Sequence, residues 1–149
     1  MYNKILVPLD GSKRAEAVLP HAIEMANRYG AEIIFLRVEE LYIMLEWDEV
    51  VDLAKCHEEF DVRKKASESY LAQLKTEFRE KGIKADTHVV YGPVVKSILT
   101  AAEEMNVDII VMASHGLGGL PRTFYGSVTA GVLQKIDRPL LIIRTRRVE

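Results

Sequence analysis

Cysteine is almost missing: Cys56 stands alone in 149 residues, so no internal disulfide can form. No secretory pattern occurs at Met1-Tyr2-Asn3-Lys4, and a cytoplasmic location is expected. Long hydrophobic runs are also lacking. None approaches the ~20 apolar residues of a membrane helix. Neither charge sign dominates, with 20 Lys and Arg against 22 Asp and Glu and a net charge of −2. The one basic stretch is the tail Arg144-Thr145-Arg146-Arg147. A general nucleic-acid binder needs a dense basic face, so no nucleic-acid partner is expected. The four histidines are scattered and Cys56-His57 is an isolated pair, whereas a structural metal site needs about four spaced ligands. No side-chain metal site is expected. No internal repeat, linker or low-complexity segment interrupts the chain.

What is present fits one domain over residues 1–149, with 48% hydrophobic and 28% charged residues. Ile5-Leu6-Val7-Pro8-Leu9 reads as a strand buried on both faces, ended by the turn Asp10-Gly11-Ser12. Ser12 is a good N-cap for a helix whose stripe is Ala15, Val18, Leu19, Ala22, Ile23, Ala26 and Tyr29. Pro20 falls within it and predicts a kink, and Gly30 is a natural stop. Ile33 to Leu36 reads as a second strand, ending near Val38. The acidic stretch from Glu39 to Cys56 admits a short helix or a flap. Glu58 to Lys81 predicts a long helix with Ala66, Tyr70, Leu71, Leu74 and Phe78 inward.

Ile83, Ala85, Thr87 and Val89 alternate with Lys84, Asp86 and His88, as in an edge strand with one wet face. Gly92-Pro93 opens a helix, with Pro93 in its first turn and Val94, Val95, Ile98, Leu99, Ala102 and Met105 inward. Val107 to Met112 is a fourth strand, Val128 to Ile136 a helix and Pro139 to Ile143 a fifth strand. Such alternation predicts an α/β fold: a single-domain open sheet of five parallel strands with helices on both faces and right-handed crossovers.

Ligands of open parallel sheets bind beyond the carboxyl ends of the strands, where strand order reverses. Two polar loops leave the most apolar strands: Asp10-Gly11-Ser12 and Ser114 to Tyr125. In the second, Gly116, Gly118 and Gly119 allow close backbone approach to an anion. Gly126-Ser127-Val128-Thr129 brings two hydroxyls, free N–H groups and a helix dipole, and Arg122 a further charge. A polyanion such as a nucleotide phosphate chain suits this loop. A P-loop is excluded because no lysine occurs between Val107 and Gln134. A dinucleotide fingerprint is excluded because Pro121 stands where its third glycine belongs. Met112-Ala113-Ser114-His115-Gly116 has Met112 in place of the first glycine of a hydrolase elbow, and no base partner is evident.

With these segments the chain resembles the universal stress protein family: 4–12 (KILVPLDGS), Gly92-Pro93, 107–116 (VDIIVMASHG), 126–129 (GSVT) and 138–143 (RPLLII). The ATP-binding branch carries Gly-x2-Gly-x9-Gly-Ser/Thr. Gly116, nine residues, Gly126 and Ser127 match it, and Ala113 replaces the first glycine. A methyl group there requires φ < 0. The resemblance implies a Rossmann-like sheet of order 3-2-1-4-5 and ATP as ligand, with Mg2+ or Mn2+ held through its phosphates. Pro8, Leu9 and Asp10 would border the adenosine, and the backbone of Val38 would meet the adenine edge. Met112 and Ala113 would flank the nucleoside. His115, Gly116, Gly118 and Gly119 would line the phosphates, and Gly126, Ser127, Val128 and Thr129 would close the site. The family also implies a homodimer through strand 5, Leu140 to Ile143, which hides an aggregation-prone edge.

The expected function is a regulatory nucleotide switch in the stress response with slow or no hydrolysis, since no general base is evident and catalytic residues are not assigned. The alternative is a nucleotide-free interaction protein of the same fold. Several residues also carry plain structural readings: Ser127 as an N-cap, Asp10 as a turn residue, His115 as a loop residue, the Tyr42 to Trp47 cluster as core or dimer packing, and Arg144, Arg146 and Arg147 as a charged edge.

Overall fold

Ile5, Leu6 and Val7 are fully buried in strand β1 (Lys4–Pro8), which lies at the centre of the sheet in the computed structural model. The structure describes residues 1–40, 53–115 and 126–145. Helix α1 (Leu19–Tyr29), strand β2 (Glu32–Glu39), helix α2 (Leu53–Glu80), strand β3 (Ala85–Tyr91), helix α3 (Val94–Glu104), strand β4 (Ile109–Ala113), helix α4 (Ser127–Lys135) and strand β5 (Leu140–Ile143) follow in order. The five strands form one parallel sheet of order β3-β2-β1-β4-β5, as the resemblance implies. β1 pairs with β2 through Ile5↔Ile33 to Pro8↔Leu36 and with β4 through Ile5↔Ile109 and Leu6↔Ile110.

Alternation along the central strands divides the core into two layers. Ile5, Val7, Ile33, Phe35 and Val111 pack against Val18, Ala22, Leu71 and Phe78 of the α1/α2 layer. Phe35 and Phe78 meet edge to face at 4.9 Å. Leu6, Ile34, Leu36, Ile110 and Met112 pack against Ile98, Ala102 and Val132 of the α3/α4 layer. Each large buried side chain contributes roughly 1.5–3 kcal/mol.

Several local expectations need correction. A short 3-10 turn, Ala15–Val18, precedes α1, and Pro20 sits at the start of α1 instead of kinking a longer helix. There its missing N–H costs no helical bond. Tyr29 is exposed and packs edge to face on Tyr2 at 5.0 Å. Ala66 faces solvent, and its neighbour Ser67 is buried in its place. The α2 stripe therefore runs Ser67, Leu71, Leu74 and Phe78, a polar residue heading an apolar column. Pro93 is the residue before α3, with extended backbone, and β4 begins at Ile109. Gly30 ends α1 as expected, at φ 64°, where Ala31 N–H closes on Ala26 O. The Tyr42 to Trp47 cluster lies outside the described residues.

Candidate functional site

The chain leaves β1 toward the α1/α2 layer and leaves β4 toward the α3/α4 layer. Because β1 and β4 are neighbours, a crevice opens between these connections at the carboxyl ends of the strands. On the β1 side, Pro8 is half-buried, and Leu9 is buried with its N–H donating to Leu36 O at 2.9 Å. Asp10 folds the turn. Its Oδ1 accepts from Ser12 N–H at 2.9 Å and from Ser12 Oγ at 2.6 Å, while Gly11 takes φ 84°. Ser12 Oγ in turn accepts from Ala15 N–H at 3.1 Å, so the expected cap is present and serves the short turn.

On the β4 side the strand end is tied to the helix start. Gly126 N–H donates to Ser114 O at 2.7 Å, and Thr129 Oγ1 donates to Ala113 O at 2.8 Å. The described residues on either side of positions 116–125 are therefore in contact. Gly126, with extended backbone, is the residue that caps α4, and Ser127 is the first residue of the helix, not its cap. No side chain caps α4, and the first helical bond runs from Ala130 N–H to Gly126 O at 2.9 Å. The N–H groups of Ser127, Val128 and Thr129 precede that bond, which is the arrangement of an anion site. Of the two hydroxyls expected at the helix start, Ser127 is exposed whereas Thr129 is buried and spent on Ala113.

Ala113 is 6% exposed and its side chain joins the α1/α2 core. Among the described residues the one non-glycine with positive φ is Asn106, so the Ala113 backbone accommodates a methyl group. Met112 and Val38 project to the opposite layer, the side of α4. His115 is 7% exposed, with Nδ1 3.0 Å from Ser114 Oγ, and Ser114 Oγ also accepts from Thr145 N–H at 3.1 Å. The Ser114 hydroxyl, fully buried and so held, braces β4 against the chain beyond β5. Pro8, Leu9, Asp10, Met112, Ala113, His115, Gly126, Ser127, Val128 and Thr129 thus gather at the ends of β1 and β4, and Val38 lies at the end of neighbouring β2. Gly116, Gly118, Gly119 and Arg122 lie outside the described residues.

Sequence reasoning missed a polar network on the other side of β2. Arg37 and Glu39 alternate with Val38 and so face α2. Glu39 Oε1 accepts from Arg37 Nε at 3.1 Å and from Ser67 Oγ at 2.5 Å. Burial pushes the Glu39 carboxyl upward, but the hydrogen bonds from Ser67 and Arg37 and the charges of Arg37 and Arg63 hold it below its ordinary value. Tyr70 donates to Glu16 at 2.8 Å, and burial, followed by that bond, raises its hydroxyl well above the usual tyrosine value. The signal was present as two charged residues of equal parity ending an apolar strand.

The pattern describing the Universal stress protein family matches residues 1–144 of the chain. Universal stress protein MJ0577 of Methanocaldococcus jannaschii is 32% identical, over 98% of this chain and 97% of its own. Universal stress protein YxiE of Bacillus subtilis is also 32% identical, over 97% and 100%. The solved structure of MJ0577 superposes with a TM-score of 0.87 at 30% identity, covering 99% of both chains. A family protein of Arabidopsis thaliana, solved with AMP bound, shares the fold with a TM-score of 0.66 at 16% identity, over 97% of this chain and 92% of its own.

Proposed function

Because the chain belongs to the universal stress protein family, we propose that residues 1–149 form a regulatory domain binding ATP, with Mg2+ or Mn2+, in the β1/β4 crevice. The observation that carries this reading is the tied junction of β4 and α4. Gly126 N–H on Ser114 O and Thr129 Oγ1 on Ala113 O fix a helix start whose leading N–H groups have no acceptor in the helical ladder. Phosphate oxygens accept from the N–H groups of Ser127, Val128 and Thr129, with His115, Gly116, Gly118 and Gly119 completing the loop. Pro8, Leu9 and Asp10 border the adenosine, the Val38 backbone meets the adenine edge, and Met112 and Ala113 flank the nucleoside. An Ala113 methyl in the α1/α2 core supports this reading, because it leaves the α4 side of the crevice open.

The divalent cation would neutralise phosphate charge through phosphate oxygens. The chain's own part is to hold and orient the nucleotide. No general base is evident in the sequence, so turnover is slow or absent. The AMP-bound family protein is a precedent for a mononucleotide on this fold. Two copies pair along β5, whose residues are only half-buried. Mass spectrometry of small molecules released on denaturing freshly purified protein tests the reading. An adenine nucleotide near one per chain is expected. Nucleotide-free protein that also fails to take up added Mg-ATP would overturn it.

A further inference from the structure

A second cavity, of about 460 Å³, opens on the α1/α2 side of the sheet and is lined by Gly11, Arg37, Glu39, Arg63, Ala66, Ser67 and Tyr70. Its volume falls within the range of small-ligand sites, roughly 300–1,000 Å³. Through Gly11 it shares the Asp10–Ser12 turn with the β1/β4 crevice, but Arg37 and Glu39 leave β2 on the face opposite Val38.

The chemistry of its wall is specific. The Glu39 carboxylate is matched by Arg37 Nε and Ser67 Oγ, so it presents a neutralised surface. Those bonds also fix the Arg37 side chain, which is mostly buried for an arginine at 21% exposure. With Nε bound to Glu39, the two terminal nitrogens remain. A methyl group built on Gly11 would lie 3.3 Å from Nη1 and 4.0 Å from Nη2, so the fork lies alongside the Asp10–Ser12 turn. At φ 84° the turn favours glycine, and a side chain there would press on the Arg37 fork. Among the described residues neither terminal nitrogen has a hydrogen-bond partner, and Arg63 on the opposite wall makes no ion pair. Two guanidinium groups therefore line one cavity, whose own carboxylate, Glu39, already accepts from Arg37 and Ser67, while Glu16 is bonded to Tyr70 and Asp10 lies beside Gly11. A held guanidinium fork is the geometry that recognises the paired oxygens of a phosphate or carboxylate. Tyr70 and Ala66 supply the apolar wall for the body of such a molecule.

We propose that this cavity is a second ligand site, taking a small molecule through a phosphate or carboxylate group held by Arg37 and Arg63.

Titration of the full-length 15N-labelled protein with inorganic phosphate and, separately, with succinate, at constant ionic strength against chloride, tests it. One probe or both should give saturable shifts centred on the Arg37 Nε–H and on the Gly11, Ser67 and Tyr70 amides. The saturating probe identifies the head group. Arg37→Gln should weaken that binding by about tenfold or more, and Arg37→Lys, which keeps charge without the fork, by several-fold. Because Arg37→Gln also strips Glu39 of its partner, the exposed Arg63→Gln serves as an independent variant, expected to weaken binding about threefold. Absence of saturable shifts with both probes would overturn the proposal. So would binding unchanged in both Gln variants, or shifts confined to the 126–129 amides, which mark the β4/α4 crevice instead.

Discussion

A methyl group added at Gly131 would sit 2.7 Å from Val95 Cγ2 and 3.2 Å from Cγ1. Val95 is β-branched and stiff, so α3 and α4 would have to separate. Gly131→Ala is expected to lower stability by about 1–3 kcal/mol despite its better helix propensity, read as a drop in denaturant midpoint. Adding Val95→Ala should restore most of the loss. Asp108 is a second residue with a sharp consequence. Its Oδ2 accepts from the N–H groups of Asn3 and Lys4 at 2.7 and 2.9 Å, and these bonds hold the carboxyl below its ordinary value. A folded value below the unfolded one gives stability that is full above the unfolded value, near 3.9, and lost as pH falls through the folded value. Asp108→Ala should therefore lower the melting temperature at neutral pH and flatten the acid limb of a pH–stability curve. Ala113 was legible as a departure from a glycine pattern, but the layer its methyl joins follows from strand parity within the folded sheet.

Among the elements, β4 and α4 behave as one unit because Thr129 spends its hydroxyl on Ala113 O. Thr129→Val keeps the shape and leaves that carbonyl unpaired. A loss of about 1–3 kcal/mol in a thermal or denaturant melt is expected, together with weaker nucleotide binding. Strand identities were readable from apolar runs, since central strands are covered on both faces. Helix faces were less so: Ala66 looked inward by composition, yet Ser67 is buried because Glu39 gives its hydroxyl a partner. A partner 28 residues away leaves no local trace in the chain. Ser127 illustrates the same limit at a helix end, where Gly126 rather than the hydroxyl residue takes the cap.

On the scale of the whole molecule, the sheet order follows from adjacency that no single segment encodes, and a resemblance spanning most of the chain supplied it correctly. The same order leaves β5 at an edge, with all four residues half-buried. Light scattering on the eluted protein is expected to give about twice the 16.9 kDa chain mass; a monomer at tens of micromolar would remove the β5 pairing. No helix among the described residues is long and apolar enough to cross a membrane. The central claim is that the β1/β4 crevice holds a nucleotide, and calorimetric titration of the nucleotide-stripped protein with Mg-ATP tests it most directly. Saturable heat near one ATP per chain is predicted, with about 2.7 kcal/mol of added stability at one hundred times Kd and a loss of both in Gly126→Val. No heat and no protection against unfolding, in protein that melts cooperatively, would contradict it.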